Sequence, residues 1–116
     1  MAATYIDTGQ CPRITLAEAR GAVAEIVNRN LCGAQNVVGT LRWLGAGERF
    51  AAGALNDRHQ LIYLMEGAGV VTLESKEYEV ANGAGIYLGP RETVSIRQAG
   101  NAALKLFHLV VAQVRD

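Results

Sequence analysis

The chain holds only two histidines, His59 and His108, among its 116 residues. A histidine near its ordinary pKa can take or give a proton at neutral pH. Tyr87 can serve beside one as a weak acid or as a stacking face. These three residues are the candidates for acid–base chemistry. Each also has a plainer reading: a rim or interface residue for His59, a hydrogen-bonded strand histidine for His108, and a packing residue with a wet hydroxyl for Tyr87. Arg42 is the charged member of the otherwise apolar run 41 to 44. Its guanidinium can grip a carboxylate with two parallel hydrogen bonds, or lie outside in a surface ion pair. Arg58-His59 can hold an anion or form a solvated turn. Cys32 can act as a nucleophile with a distant histidine or be a buried thiol. Glu77 and Glu79 share one face of a strand and read as the solvent side of a hairpin. Gly83, Gly85 and Gly89 lie between strands and open no helix, so they do not make a phosphate loop.

These residues sit on short strands. Residues 1 to 14 form an irregular lead-in broken by Gly9 and Pro12. Thr15-Leu16-Ala17-Glu18 fits a capping box, which predicts one or two helical turns over 16 to 20. A strand follows over about 22 to 28, with a helix running to residue 31 as the competing reading. From Gly33 onward the pattern is all β: strands over 36 to 44, 61 to 65, 70 to 73, 78 to 80, 86 to 88, 93 to 97 and 104 to 114. Residues 74 to 77 make a hairpin loop, and Asn82-Gly83 is a tight-turn signal. Turns at this spacing predict a β-sandwich or barrel.

Bulk properties narrow the function classes. One domain's worth of chain, half of it hydrophobic, builds a core without disulfide staples. Eleven basic and eleven acidic side chains cancel, and no Lys/Arg cluster offers nucleic acid or an anionic membrane a handle. The two cysteines, Cys11 and Cys32, read as reduced thiols. No signal peptide is evident, and no apolar stretch reaches the roughly 18 residues a membrane helix needs. A cytoplasmic location is the expectation. Every residue from 61 to 65 is apolar, so both faces of that strand call for cover. Residues 104 to 111 are similar, which predicts a homodimer packed sheet to sheet.

Residues 37 to 111 resemble a small single-domain cupin, a double-stranded β-helix or jelly roll, preceded by an N-terminal extension over about 1 to 33. Gly47 suits the first glycine of that family's first motif, and Tyr63-Leu64-Met65-Glu66-Gly67 its last strand. The run from Asn82 to Pro90 follows the second motif. The motif's metal-ligand slots hold other residue types. Counted back from Gly67, the carboxylate slot is Gln60, and the histidine slots are Asn56 and Ala54. Counted forward from Gly47, the histidine slots are Gly53 and Leu55. The second motif's histidine slot is Val94, and Ala84 replaces its usual aspartate. Amide, methyl and isopropyl groups do not hold a transition metal. The resemblance therefore implies a barrel with neither metal nor other cofactor.

Such a barrel implies a cavity that takes a small molecule. Asn56 and Gln60 fall in inward slots and join Arg42 and Arg58 as candidate ligand-binding residues. If Gln60 points inward, strict alternation turns His59 outward, unless a bulge restores it. Three functions remain open. One is a metal-free small-molecule binder. Another is an isomerase, cyclase or lyase using His59, Tyr87 or His108, with or without an atypical metal. The last is a dimeric module with a filled barrel.

Overall fold

Burial alternates along several of the strands with the period of two that a pleated sheet imposes. In β5 (Arg58–Glu66), Gln60, Ile62 and Leu64 are buried while Leu61, Tyr63 and Met65 are exposed. This computed structural model describes residues 5–34, 36–53, 55 and 57–112. The strands before β5 are β1 (Ile14–Thr15), β2 (Ala22–Val27), β3 (Val37–Leu44) and β4 (Arg49–Ala52). After it come β6 (Ala68–Leu73), β7 (Lys76–Ala81), β8 (Gly85–Leu88), β9 (Val94–Ala99) and β10 (Leu104–Ala112).

They form two antiparallel sheets, in the orders β1-β2-β3-β10-β5-β8 and β4-β9-β6-β7. This is the expected jelly roll. β10 lies at the centre of the larger sheet, pairing with β3 on one side and β5 on the other. The inner faces meet in one core that includes Leu44, Ile62, Leu64, Ile96, Leu104 and Leu106. Burying each such side chain contributes about 1.5–3 kcal/mol. Val94, in one of the expected histidine slots, fills the same core, and so does Ala52.

Three local readings change. Residues 16 to 20 form a tight turn and no helix. Thr15 pairs with Ala22 in the ladder, Leu16 donates its N–H to the Gly21 carbonyl at 2.8 Å, and Glu18 and Ala19 take left-handed φ values of 60° and 56°. Sheet pairing outweighs a lone helical turn, whose nucleation is unfavourable. Helical geometry appears instead in a 3₁₀ turn, Thr8–Gln10, and in α1 (Arg29–Cys32). The expected loop 74 to 77 contracts to a tight turn at Glu74 and Ser75, with φ of 49° and 69°. β4 has no counterpart in the sequence reading, because only Phe50 in it is strongly apolar. The last expected strand is described only to Ala112.

Candidate functional site

The register places three polar side chains on one inner face. Arg42 lies across from Leu106, His108 across from both Thr40 and Ile62, and Val110 across from Gln60. Opposed residues in an antiparallel ladder share a face. Arg42, His108 and Gln60 therefore converge inside the larger sheet.

A directed chain of hydrogen bonds joins them. Arg42 Nε–H donates to His108 Nδ1 at 3.3 Å. Arginine has no acceptor, so Nδ1 must carry the lone pair. The proton then sits on Nε2, which donates to Gln60 Oε1 at 2.8 Å. Gln60 Nε2 donates in turn to the Gly53 carbonyl at 3.1 Å. Every partner is fixed in orientation by the next. The Phe50 ring backs the group: Arg42 Cζ lies 3.9 Å from its centroid, and the His108 ring is tilted against it at 5.0 Å.

Electrostatics follow from this burial. His108 has its pKa lowered to about 4, first by burial and then by the Arg42 charge, so it is neutral at pH 7. Burial, and then the charge of Arg20, lower Arg42 to about 10, which leaves it a cation. Among the described residues, no ion pair between Arg42 and a carboxylate is seen; Arg97 and Glu77 form one on the surface.

Arg42 faces an open cleft of about 680 Å³ between the two sheets, lined by Leu16, Glu18, Arg20, Arg49, Phe50 and Ala51. The turn at 16 to 20 forms its rim. Arg49 N–H donates to the Ala19 carbonyl at 3.0 Å, and Arg20 Nε–H to the Ala17 carbonyl at 3.0 Å. The sequence reading missed Arg20, Arg49 and Phe50. Alternation in the short run Arg49-Phe50-Ala51-Ala52 was the signal available for the last two.

The other candidates lie elsewhere. His59 sits on the outer face of β5, where its Nδ1 is 2.6 Å from the Tyr87 hydroxyl and the two rings stack at 5.9 Å. His59, Tyr87 and His108 thus do not converge, because adjacent positions on one strand point to opposite faces. Arg58 is exposed at the start of β5 and does not line the cleft. Asn56 and Ala54 lie outside the described residues. Tyr87 lines a second cleft of about 530 Å³ with Tyr78, Lys76 and Arg91.

The cupin fold raises the question of a metal. Gln60 in the carboxylate slot offers an amide already engaged at both ends. Val94, in a histidine slot, offers no donor. Among the described residues, no group of three His, Cys, Asp or Glu side chains comes together. These donors do not fit a metal ion. Also among the described residues, no helix is long and apolar enough to cross a membrane.

Comparison with known proteins places this geometry. The AraC-like ligand binding domain family matches residues 40–113. An uncharacterized protein of Methanocaldococcus jannaschii is 36% identical over 47 residues, a match spanning 40% of this chain and 38% of that protein. A predicted oxalate decarboxylase of Thermotoga maritima superposes with a TM-score of 0.81 at 15% identity, covering 94% of this chain and 99% of that one. The cupin domain of Schizosaccharomyces pombe Cnp3 superposes with a TM-score of 0.72 at 10% identity, covering 92% and 72%. Identities this low speak for the fold alone.

Proposed function

The chain belongs to the AraC-like ligand-binding domain family, with a cupin fold, and on that premise we propose that it binds a small polar molecule in the cleft beside Arg42 without a bound metal. The observation that carries this reading is the state of Arg42. Its guanidinium is half-buried, stacked on Phe50 and fixed at Nε by His108, yet it meets no carboxylate among the described residues. Among the described residues only Nε–H is engaged, which leaves the remaining N–H donors for a ligand. A polar anchor in a partly apolar, preformed cleft is the usual composition of a ligand site.

Acid–base catalysis is less well supported. His108 is neutral and both of its ring nitrogens are engaged, while His59 and Tyr87 face away from the cleft. The test is thermal unfolding of metal-stripped protein with a panel of small polar molecules. Saturation at 100 times Kd stabilises by about 2.7 kcal/mol, enough to raise Tm by several degrees. At least one compound should do so, and Arg42→Ala should abolish the shift. A panel with no effect, or a shift that appears only after metal is restored, counts against the reading.

We also infer a homodimer. Leu61, Tyr63 and Met65 of β5 and Tyr87 of β8 are exposed on the outer face of the larger sheet. A contiguous apolar face of this kind marks an interaction surface. Sedimentation at micromolar concentration should give the mass of two chains, and a monomer contradicts the inference.

A further inference from the structure

We propose that the cleft selects an organic anion, with a carboxylate seated on Arg42 and Arg20 and Arg49 supplying the surrounding positive charge. This rests on the reading of the cleft as a ligand site and gives that ligand its chemical class.

Among the described residues, three guanidiniums line the cleft against one carboxylate, that of Glu18. The next nearest acid in sequence, Glu48, is engaged elsewhere, accepting the Gly45 N–H at 2.6 Å. The cations are therefore left to repel one another: Arg20 adds to burial in drawing down the pKa of Arg42. An anion relieves that repulsion. It also gains in a half-buried site where screening by water is weaker.

Geometry specifies the head group. Nε of Arg42 is fixed by His108 and its Cζ rests 3.9 Å from the Phe50 ring centroid, so the guanidinium is held at two points. A planar carboxylate meets such a fork with two parallel hydrogen bonds. Held in this way, the fork loses less freedom on binding. The walls specify the body. Leu16, Phe50 and Ala51 give the cleft an apolar side suited to a hydrocarbon or aromatic group. Glu18 on the rim disfavours a compact dianion such as phosphate.

The experiment uses the intact chain with three probes: phenylacetate, its neutral isostere phenylacetamide, and inorganic phosphate. Binding is followed by the Arg42 Nε–Hε NMR signal and by titration calorimetry. Phenylacetate should move the Arg42 signal, and phenylacetamide should bind at least about tenfold more weakly, since hydrogen bonds to a charged acceptor are roughly twice as strong. The affinity for phenylacetate should fall as salt is raised. Arg42→Lys keeps the charge but loses the fork, and should weaken phenylacetate about tenfold. Arg49→Gln changes an exposed residue and serves if Arg42 variants fail to fold; it should weaken phenylacetate several-fold.

Equal binding of phenylacetate and phenylacetamide, indifferent to Arg49→Gln, overturns the anion class while the ligand-site reading stands. Tighter binding of phosphate than of phenylacetate overturns the carboxylate. If no probe moves Arg42 but a neutral compound from the wider panel raises Tm, the anion class fails alone. If nothing binds, both readings fail.

Discussion

Arg42 Nε–H points at His108 Nδ1 across 3.3 Å, and this one contact fixes the charge of both residues. It requires the histidine to be neutral with its proton on Nε2. It also keeps a half-buried cation beside that histidine, which opposes protonation of the ring. Burial adds to the same effect, so the two residues form a stable pairing of one charged and one neutral group.

Acid should therefore weaken the fold through His108. Its pKa is about 4 in the folded chain against an ordinary 6.5. As pH falls, the unfolded chain takes up the proton first. This contribution to stability is whole above about 6.5 and is lost progressively down through about 4, amounting to on the order of 3 kcal/mol. Denaturant unfolding between pH 7 and pH 4 measures the slope, and His108→Asn should flatten it. A variant slope equal to that of the parent chain would show that carboxylates alone set the acid limb.

Gln60 is the hinge of the hydrogen-bonded chain. Gln60→Leu keeps the volume but orphans both His108 Nε2–H and the Gly53 carbonyl. The expected loss is about 1–3 kcal/mol, read by chemical denaturation, because the buried His108 Nε2–H is left unmet while the exposed Gly53 carbonyl can turn to water. Gln60→Glu keeps an acceptor and adds a negative charge, so the His108 pKa should rise from about 4. An unchanged imidazole titration by NMR contradicts the network.

Part of this site was legible in the sequence. Alternation along 58 to 66 puts Gln60 and His59 on opposite faces, but a register ambiguous by one residue leaves open which points inward; the structure has Gln60 inside. Arg42 was legible as an anchor but not as to its side, since one charge in an apolar strand fits either face. Arg20 and Arg49 were not legible. They come together only through a turn in which Glu18 and Ala19 adopt left-handed backbone held by the Arg49 N–H. No local propensity specifies that turn, and Thr15 to Glu18 even imitates a helix start.

The His59–Tyr87 pair should be dispensable for binding. Their 2.6 Å contact lies on the exposed outer face, away from the cleft. Such a bond contributes about 1 kcal/mol or less. His59→Phe and Tyr87→Phe should each leave phenylacetate affinity unchanged by calorimetry. A tenfold loss in either would restore these residues as candidates for the chemistry and shift the site to the other face of the sheet.

Gly21 ties the rim turn to the barrel, and replacing it should damage both stability and binding. It is buried with φ of 82°, and an added Cβ would collide with the Trp43 carbonyl and lie 2.8 Å from Leu44 Cδ2. Left-handed backbone costs an alanine about 1–2 kcal/mol before any clash. Backbone oxygen cannot move aside cheaply, so Gly21→Ala should lose about 2–4 kcal/mol in all. Gly33→Ala is the control: its φ of 74° imposes the same backbone strain, but nothing lies within 4 Å of the new methyl group. It should lose only the backbone share. The displaced turn carries Arg20, so Gly21→Ala should also weaken phenylacetate, whereas Gly33→Ala should not. Equal effects of the two substitutions on stability and affinity would mean that the turn at 16 to 21 neither packs against β3 nor shapes the cleft.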